Sequence, residues 1–390
     1  MNDFIIKNAN LNIAEELNNI GFDKSYLTNA CNKYKYKNIK IFGLSIPQAN
    51  ILKQCAISVG ADCAVHRETI TAKVEHSDCV LGGSLSQLQK IAEKLKKQPF
   101  KLKQLADLIE KQINFKLNPL KIKQTVFDFS RPYLIGVLNL TQNSFSDGGL
   151  YYDFENSIKR LFELIDEGAD IIELGAESTK PFSQPIDVKS QLDKLLPILN
   201  FIKNEKIEIP ISIDTRSAEV AEECNKNGAN IINDVSGFDF DAKMLETIAK
   251  YDIPIIIQHS KGTPEEMQKN TDYKNLIDEI YLSLKDKINL ALNAGIKKEN
   301  IIIDMGIGFG KTKEQNLEII DRIEEFTSLQ TPIMLGISRK SFLNMSESTN
   351  EEKDIYTLAL NSRIINKGVN FIRVHNVKLH KKLLAIIGCE

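Results

Sequence analysis

The chain has no tryptophan and only five histidines among its 390 residues, and its six cysteines are unevenly spaced. So few histidines leave little for an imidazole-rich metal centre. Scattered thiols in a chain this long argue against a disulfide framework and for a reducing compartment. No apolar run approaches the roughly 18 residues that a membrane span needs. Met1-Asn2-Asp3-Phe4 has neither a basic start nor a long apolar stretch behind it, so no secretory signal is expected and the expected location is cytoplasmic. The formal net charge of −2 offers no positive excess for nucleic acid. What is present is ordinary globular composition, 42% hydrophobic and 26% charged, in a chain long enough for two or three domains.

A regular repeat starts at Tyr133. Short β-branched runs alternate with amphipathic segments of about a dozen residues, the pattern of βα units that build a parallel sheet. Eight strands are expected, over 133–140, 171–176, 210–214, 231–235, 253–259, 301–306, 333–338 and 371–375. Gly168, Gly228 and Gly295 fall where helices should end, each shortly before a new strand. Eight strands within 133–388 fit a (β/α)8 TIM barrel. An open Rossmann-like sheet would need a Gly-x-Gly-x-x-Gly turn after its first strand. That place holds Leu138-Asn139-Leu140-Thr141-Gln142-Asn143-Ser144-Phe145-Ser146-Asp147-Gly148-Gly149. An amide delivered by a strand beneath a polar loop suits an enzyme that closes over a charged substrate and excludes water.

Asn139, Glu177, Asp214, Asn233, His259, Asp304, Lys340, Arg373 and His375 all fall at or just past the C-terminal end of an expected strand. A barrel keeps its active site at that face. Asp214, Asn233, Asp234 and Asp304 could bind a metal, or grip a heterocycle with adjacent N–H donors, since a carboxylate accepts two parallel hydrogen bonds. His259 and His375 follow distant strands, so Mg²⁺ held by an amide oxygen and substrate phosphates fits better than zinc. Asp304-Met305-Gly306-Ile307-Gly308-Phe309-Gly310-Lys311 would let backbone approach a flat ligand, with Phe309 as an apolar wall. Ser338-Arg339-Lys340-Ser341 and Arg373-Val374-His375 follow the seventh and eighth strands, where barrels bind phosphate. Arg373 and His375 alternate along one strand and share a face, two cations suited to a diphosphate.

Residues 1–111 read as a small α/β domain, with expected strands at 39–44 and 70–74 and helices at 46–59, 87–97 and 102–111. Residues 112–132 read as a linker, with 125–129 a short strand plugging the barrel floor; residues 133–390 form the barrel. Ten lysines within 90–124 face only Glu93, Asp107 and Glu110, which reads as a solvated helical connector, with a polyanion-binding patch as the alternative. Cys63-x-x-His66 and His76-x-x-Cys79 offer four ligands for a structural zinc, at a spacing that is not a common one.

These motifs, together with Gly175-Ala176-Glu177-Ser178-Thr179-Lys180-Pro181, Ser212-Ile213-Asp214-Thr215, Ile232-Asn233-Asp234 and His259 with Lys261-Gly262-Thr263-Pro264, resemble the dihydropteroate synthase family over residues 125–388. The resemblance implies condensation of 6-hydroxymethyl-7,8-dihydropterin diphosphate with p-aminobenzoate, releasing pyrophosphate by a dissociative substitution. It implies that Asp214, Asn233, Asp304 and Lys340 hold the pterin, and that Asn139, Arg373 and His375 hold the diphosphate with Mg²⁺ on Asn139. Phe145, Thr179, Lys180, Pro181, Phe309 and Ser341 would line the p-aminobenzoate site, its carboxylate near a helix beginning at Ser341. Asp147 would belong to the catalytic lid. A homodimer and sensitivity to sulfonamides are implied as well.

The chain departs from the family pattern at Lys180, where Arg is usual, and at Gln142-Asn143, Met305, Ser260 and Asn376. Arg and Lys differ at a bidentate site. One alternative is a catalytically inactive pterin-binding or regulatory protein, which Lys180 favours. Another is a methyltetrahydrofolate-dependent methyltransferase module, which should lack the Ser-Arg-Lys-Ser and Arg-x-His cations found here.

Overall fold

The computed structural model describes residues 6–7, 9, 12–140, 154–177, 186–262, 270–343 and 348–389. The chain divides into two compact units, Met1–Lys116 and Leu117–Glu390.

The first unit opens with helices α1 (Ile13–Asn19) and α2 (Leu27–Tyr34). Strands β1 (Tyr36–Ser45), β2 (Asp62–Val65) and β3 (His76–Ser84) form an antiparallel sheet in the order β1-β3-β2. Helices α3 (Ile46–Ile57), α4 (Leu85–Leu95) and α5 (Leu102–Asn114) bury Leu52, Leu88, Ile91, Leu95 and Leu102 with Leu81 of the sheet. Ser45 and Ser84 start α3 and α4 with reciprocal Ser–Gln capping boxes.

The expected strand 70–74 is absent. Those residues lie in turns after a 3₁₀ helix (Arg67–Thr69), and Ile70 is 87% exposed. Their β-branched content mimics a strand, but β1 pairs instead with β3. The zinc reading fails on parity. Residues three apart in a strand point to opposite faces, and Cys63 and Cys79 face the core. His66 caps the 3₁₀ helix, its Nδ1 accepting from Glu68 N at 3.2 Å.

In the second unit, β4 (Leu120–Ile122) and β5 (Thr125–Phe127) form a hairpin, so 112–132 holds the end of α5 and this hairpin as well as connecting chain. Leu120, Ile122 and Phe127 pack with Tyr133, Ile135, Ile171, Ile231, Ile256, Ile302, Met334 and Phe371 in one buried cluster. The Phe127 ring meets Tyr133 edge-on at 4.8 Å. This closes the N-terminal end of a barrel of eight parallel strands. They are β6 (Tyr133–Asn139), β7 (Ile171–Gly175), β8 (Ile211–Asp214), β9 (Ile231–Asp234), β10 (Ile255–Gln258), β11 (Ile301–Asp304), β12 (Ile333–Leu335) and β13 (Phe371–Val374), and β13 pairs with β6 to close the ring. Helices α6 (Phe154–Asp166), α7 (Val188–Asn204), α8 (Ala218–Lys226), α9 (Lys243–Tyr251), α10 (Leu276–Asn293), α11 (Lys313–Asp321), α12 (Asn350–Ile364) and α13 (Val377–Ile386) surround it.

The strands are isoleucine-rich because both faces are covered. One alternate set, such as Ile213, Ile232, Ile257 and Ile303, joins the helix-facing core; the other, such as Ile231, Ile256 and Ile302, fills the interior above the hairpin. Gly168, Gly228 and Gly295 all take positive φ, as left-handed helix ends require. Among the described residues, no helix is long and apolar enough to cross a membrane.

Candidate active site

Strand alternation decides which polar residues enter the barrel. The interior set that is apolar at the floor becomes polar toward the C-terminal ends: Glu173 on β7, Ser212 and Asp214 on β8, Asn233 on β9, Gln258 on β10, Asp304 on β11 and Arg373 on β13. All seven are buried or nearly so. Asp214, Asn233, Asp304, Lys340 and Arg373 therefore assemble as the sequence implied. Glu173 and Gln258 were not foreseen, although a charged residue within Ile171-Ile172-Glu173-Leu174 was a readable signal.

Four successive strands, β8 to β11, each offer an acceptor. Asp304 Oδ1 accepts from Gly306 N at 2.8 Å, leaving its other oxygen for a ligand. Gln258 Nε2 donates to Val235 O at 3.1 Å and Asn233 Nδ2 to Glu173 Oε2 at 3.0 Å, while Gln258 Oε1 and Asn233 Oδ1 are buried with no hydrogen-bond partner. Unpaired buried acceptors cost about 1–3 kcal/mol each unless a ligand or water fills them.

The cations stand opposite. Arg373 Nε lies 2.8 Å from Glu173 Oε1, at ion-pair distance but off the angle of a hydrogen bond, and its Nη2 reaches Asp214 Oδ2 at 3.4 Å. Lys340 Nζ donates to Ile307 O at 2.7 Å and lies 4.1 Å from the Phe309 ring centroid. Burial, with Arg373 nearby, pulls the Lys340 ammonium down to about 7. Burial, opposed by Arg373, pushes the Asp214 carboxyl up to about 7, and burial raises Asp304 too.

His375 departs from the sequence reading. Burial, then the charges of Arg339 and Arg373, hold its imidazole down at about 3, so it is a neutral hydrogen-bonding group, 2.9 Å from Ser338 Oγ, and not a second cation. Glu177 is spent on Arg216, at 2.9 and 3.3 Å, and that guanidinium stacks 4.1 Å from the Phe240 ring. Asp234 faces outward and accepts from Ser236 and Phe238 in the following turn. Ser341–Leu343 form a 3₁₀ turn, residues 344–347 lie outside the described residues, and α12 begins at Asn350.

The glycine-rich loop is braced from below. Lys311, fully buried, donates to Gly306 O (3.0 Å) and Phe309 O (2.9 Å) and contacts His259 Nδ1 (3.1 Å). His259 is held neutral by burial and then by Lys311. Gly306, Gly308 and Gly310 take positive φ, and a Cβ on Gly306 would stand 1.9 Å from His259 O. At the rim, Asn139 ends β6 beside Gly175, whose missing side chain leaves room for the amide. A cavity of about 430 Å³ opens there, lined by Asn139, Arg160, Arg339 and His375. Asp147, Phe145, Thr179, Lys180 and Pro181 lie outside the described residues.

The description "pterin binding enzyme" matches residues 135–375. A dihydropteroate synthase of Clostridium beijerinckii is 43% identical over 251 residues, covering 63% of this chain and 90% of that one. A bifunctional dihydropteroate synthase/dihydropteroate reductase of Helicobacter pylori is 34% identical over 339 residues, covering 86% of this chain and 85% of its own. The crystal structure of Thermus thermophilus dihydropteroate synthase in complex with 4-aminobenzoate superposes with a TM-score of 0.60 at 32% identity, over 69% of this chain and 98% of that one.

Proposed function

Because the chain belongs to the pterin-binding enzyme family, we infer from its site that it is a dihydropteroate synthase, condensing 6-hydroxymethyl-7,8-dihydropterin diphosphate with p-aminobenzoate. The observation that carries this reading is the set of acceptors on β8 to β11. A dihydropterin presents four N–H bonds, two on its 2-amino group and one each at N3 and N8, and an acceptor-lined slot with two buried unpaired oxygens complements it. Lys340 is placed to donate to the ring's carbonyl side.

The reaction breaks the C–O bond to diphosphate and forms a C–N bond to the arylamine. The electron-rich ring delocalises positive charge at the methylene, and Asp214 and Asp304 lie where that charge develops. The amine is nucleophilic when neutral and loses its proton after attack, so the protein chiefly orients it. Phe309, buried beside Lys340, supplies an apolar wall for the aryl ring. Arg373 and the His375 N–H receive the leaving pyrophosphate.

The donor set fits a cation that arrives with its own phosphates: among the described residues no group of three His, Cys, Asp or Glu side chains is placed to hold a metal ion, and Asn139 offers one amide oxygen at the rim. Mg²⁺ bound there would neutralise the leaving anion. The homodimer and p-aminobenzoate-site competition by sulfonamides belong to the same reading. Incubation with both substrates and Mg²⁺ should yield 7,8-dihydropteroate by mass spectrometry; pterin binding without product would favour an inactive binding protein.

The Helicobacter pylori relative is named for a second activity, a dihydropteroate reductase. Its match covers 86% of this chain, whereas Leu117–Glu390 is about 70% of it, so the similarity extends into the first unit. We propose that the chain also reduces its dihydropteroate to tetrahydropteroate, taking a hydride from a reduced flavin or nicotinamide and the second proton from solvent. Tetrahydropteroate formation with either reductant tests this, and no product with both would remove it.

A further inference from the structure

We propose that Glu173 is a positioning residue that sets pterin specificity by locking the amide of Asn233 with its oxygen toward the substrate. The proposal rests on the synthase reading and adds to it a residue that touches no reacting atom.

The interior of a barrel is normally packed with branched apolar side chains. Here a carboxylate, 1% exposed, projects inward from the middle of β7. On β8 its register neighbour is Ser212, a side chain small enough for Glu173 to reach past. Beyond it, Oε2 meets Asn233 Nδ2 at 3.0 Å and Ser212 Oγ at 3.4 Å, while Oε1 faces Arg373 at 2.8 Å. One side chain therefore joins β7 to β9 and β13 beneath the pterin slot.

The chemistry of that contact fixes a direction. A carboxylate paired with a guanidinium only accepts hydrogen bonds, so the Asn233 amide must present its NH₂ group to Glu173. Its Oδ1 is then the atom left over, and it is among the buried oxygens without a hydrogen-bond partner. Asn233 consequently reads a donor on the ligand. If residue 173 could itself donate, the amide would be free to turn, and Asn233 would read acceptor and donor alike.

The test is a double-mutant cycle on the full chain, with 6-hydroxymethyl-7,8-dihydropterin, which lacks the diphosphate, as the titrated probe. Glu173→Gln should weaken binding about tenfold in the wild-type background, about 1.4 kcal/mol. In an Asn233→Ala background the same change should cost less than about twofold, because the residue it acts through is gone. The KM for p-aminobenzoate should stay within about twofold. Glu173→Asp keeps the charge but falls short by one C–C bond, about 1.5 Å. It should lose less than Glu173→Gln, and it carries the cycle if the glutamine variant does not fold. Equal losses in both Asn233 backgrounds would overturn the proposal while leaving the synthase reading intact. A wild-type protein that binds no pterin would remove both.

Discussion

Asp214 and Lys340 lie near pH 7 from opposite directions, the carboxyl raised and the ammonium lowered, chiefly by burial. In the proposed binding mode Asp214 must be ionised to accept N–H bonds from the pterin and Lys340 protonated to donate. Occupancy of the right forms rises with pH as Asp214 deprotonates and falls as Lys340 does. A bell-shaped kcat/KM for the dihydropterin diphosphate is expected, centred near pH 7, with limbs belonging to the coupled pair. A flat profile between pH 5.5 and 8.5 would contradict that assignment. Gly306 offers a second single-residue test, since a Cβ there meets a backbone oxygen at 1.9 Å and its φ is +65°. Gly306→Ala should lower kcat/KM by roughly tenfold or more and reduce the melting temperature. At this scale most of the polar cluster in the barrel mouth was legible, because Asp214, Asn233 and Asp304 lie at or next to the ends of apolar strands. Glu173 and Gln258 were missed because their importance depends on which face each occupies, and His375 was misjudged because its low pKa comes from burial.

Elements decide how rigidly these groups are held. Three bonding directions of Lys311 tie the loop after β11 to His259 and to two loop carbonyls. Lys311→Met should destabilise the protein by about 2–4 kcal/mol in urea unfolding, because it leaves buried carbonyls unpaired. It should also raise the p-aminobenzoate KM severalfold by releasing Phe309. The loop after β12 is anchored likewise: Arg339, at φ +56°, binds Asp354 of α12 through two nitrogens at 2.7 and 2.8 Å. The barrel strands were readable because their β-branched runs alternate with amphipathic helices, three of them ended by Gly168, Gly228 and Gly295. The failure came where a local pattern lacked a partner: 70–74 has strand composition without a ladder.

At the scale of the whole molecule, the chain carries two separately built cores. One is formed by Leu52, Leu81, Leu88 and Ile91; the other comprises the barrel interior and its helical shell. Calorimetry should resolve two transitions, and saturating pterin with pyrophosphate should raise only the barrel's, by mass action on the state that binds. A single transition shifted as a whole would show instead that the units unfold together. Residues 1–111 read as a small α/β domain without a function, because their irregular spacing lacks the repeat that aligns the polar residues of the barrel.

The most direct measurement is pyrophosphate release by the purified chain with dihydropterin diphosphate and Mg²⁺, with and without p-aminobenzoate. Release that requires p-aminobenzoate, and that falls at least about a hundredfold in both Asp214→Ala and Lys340→Ala, is the predicted result, each change being asked to remove about 2.7 kcal/mol of binding in the transition state. Release at the same rate without p-aminobenzoate, or undiminished in those variants, would contradict the account.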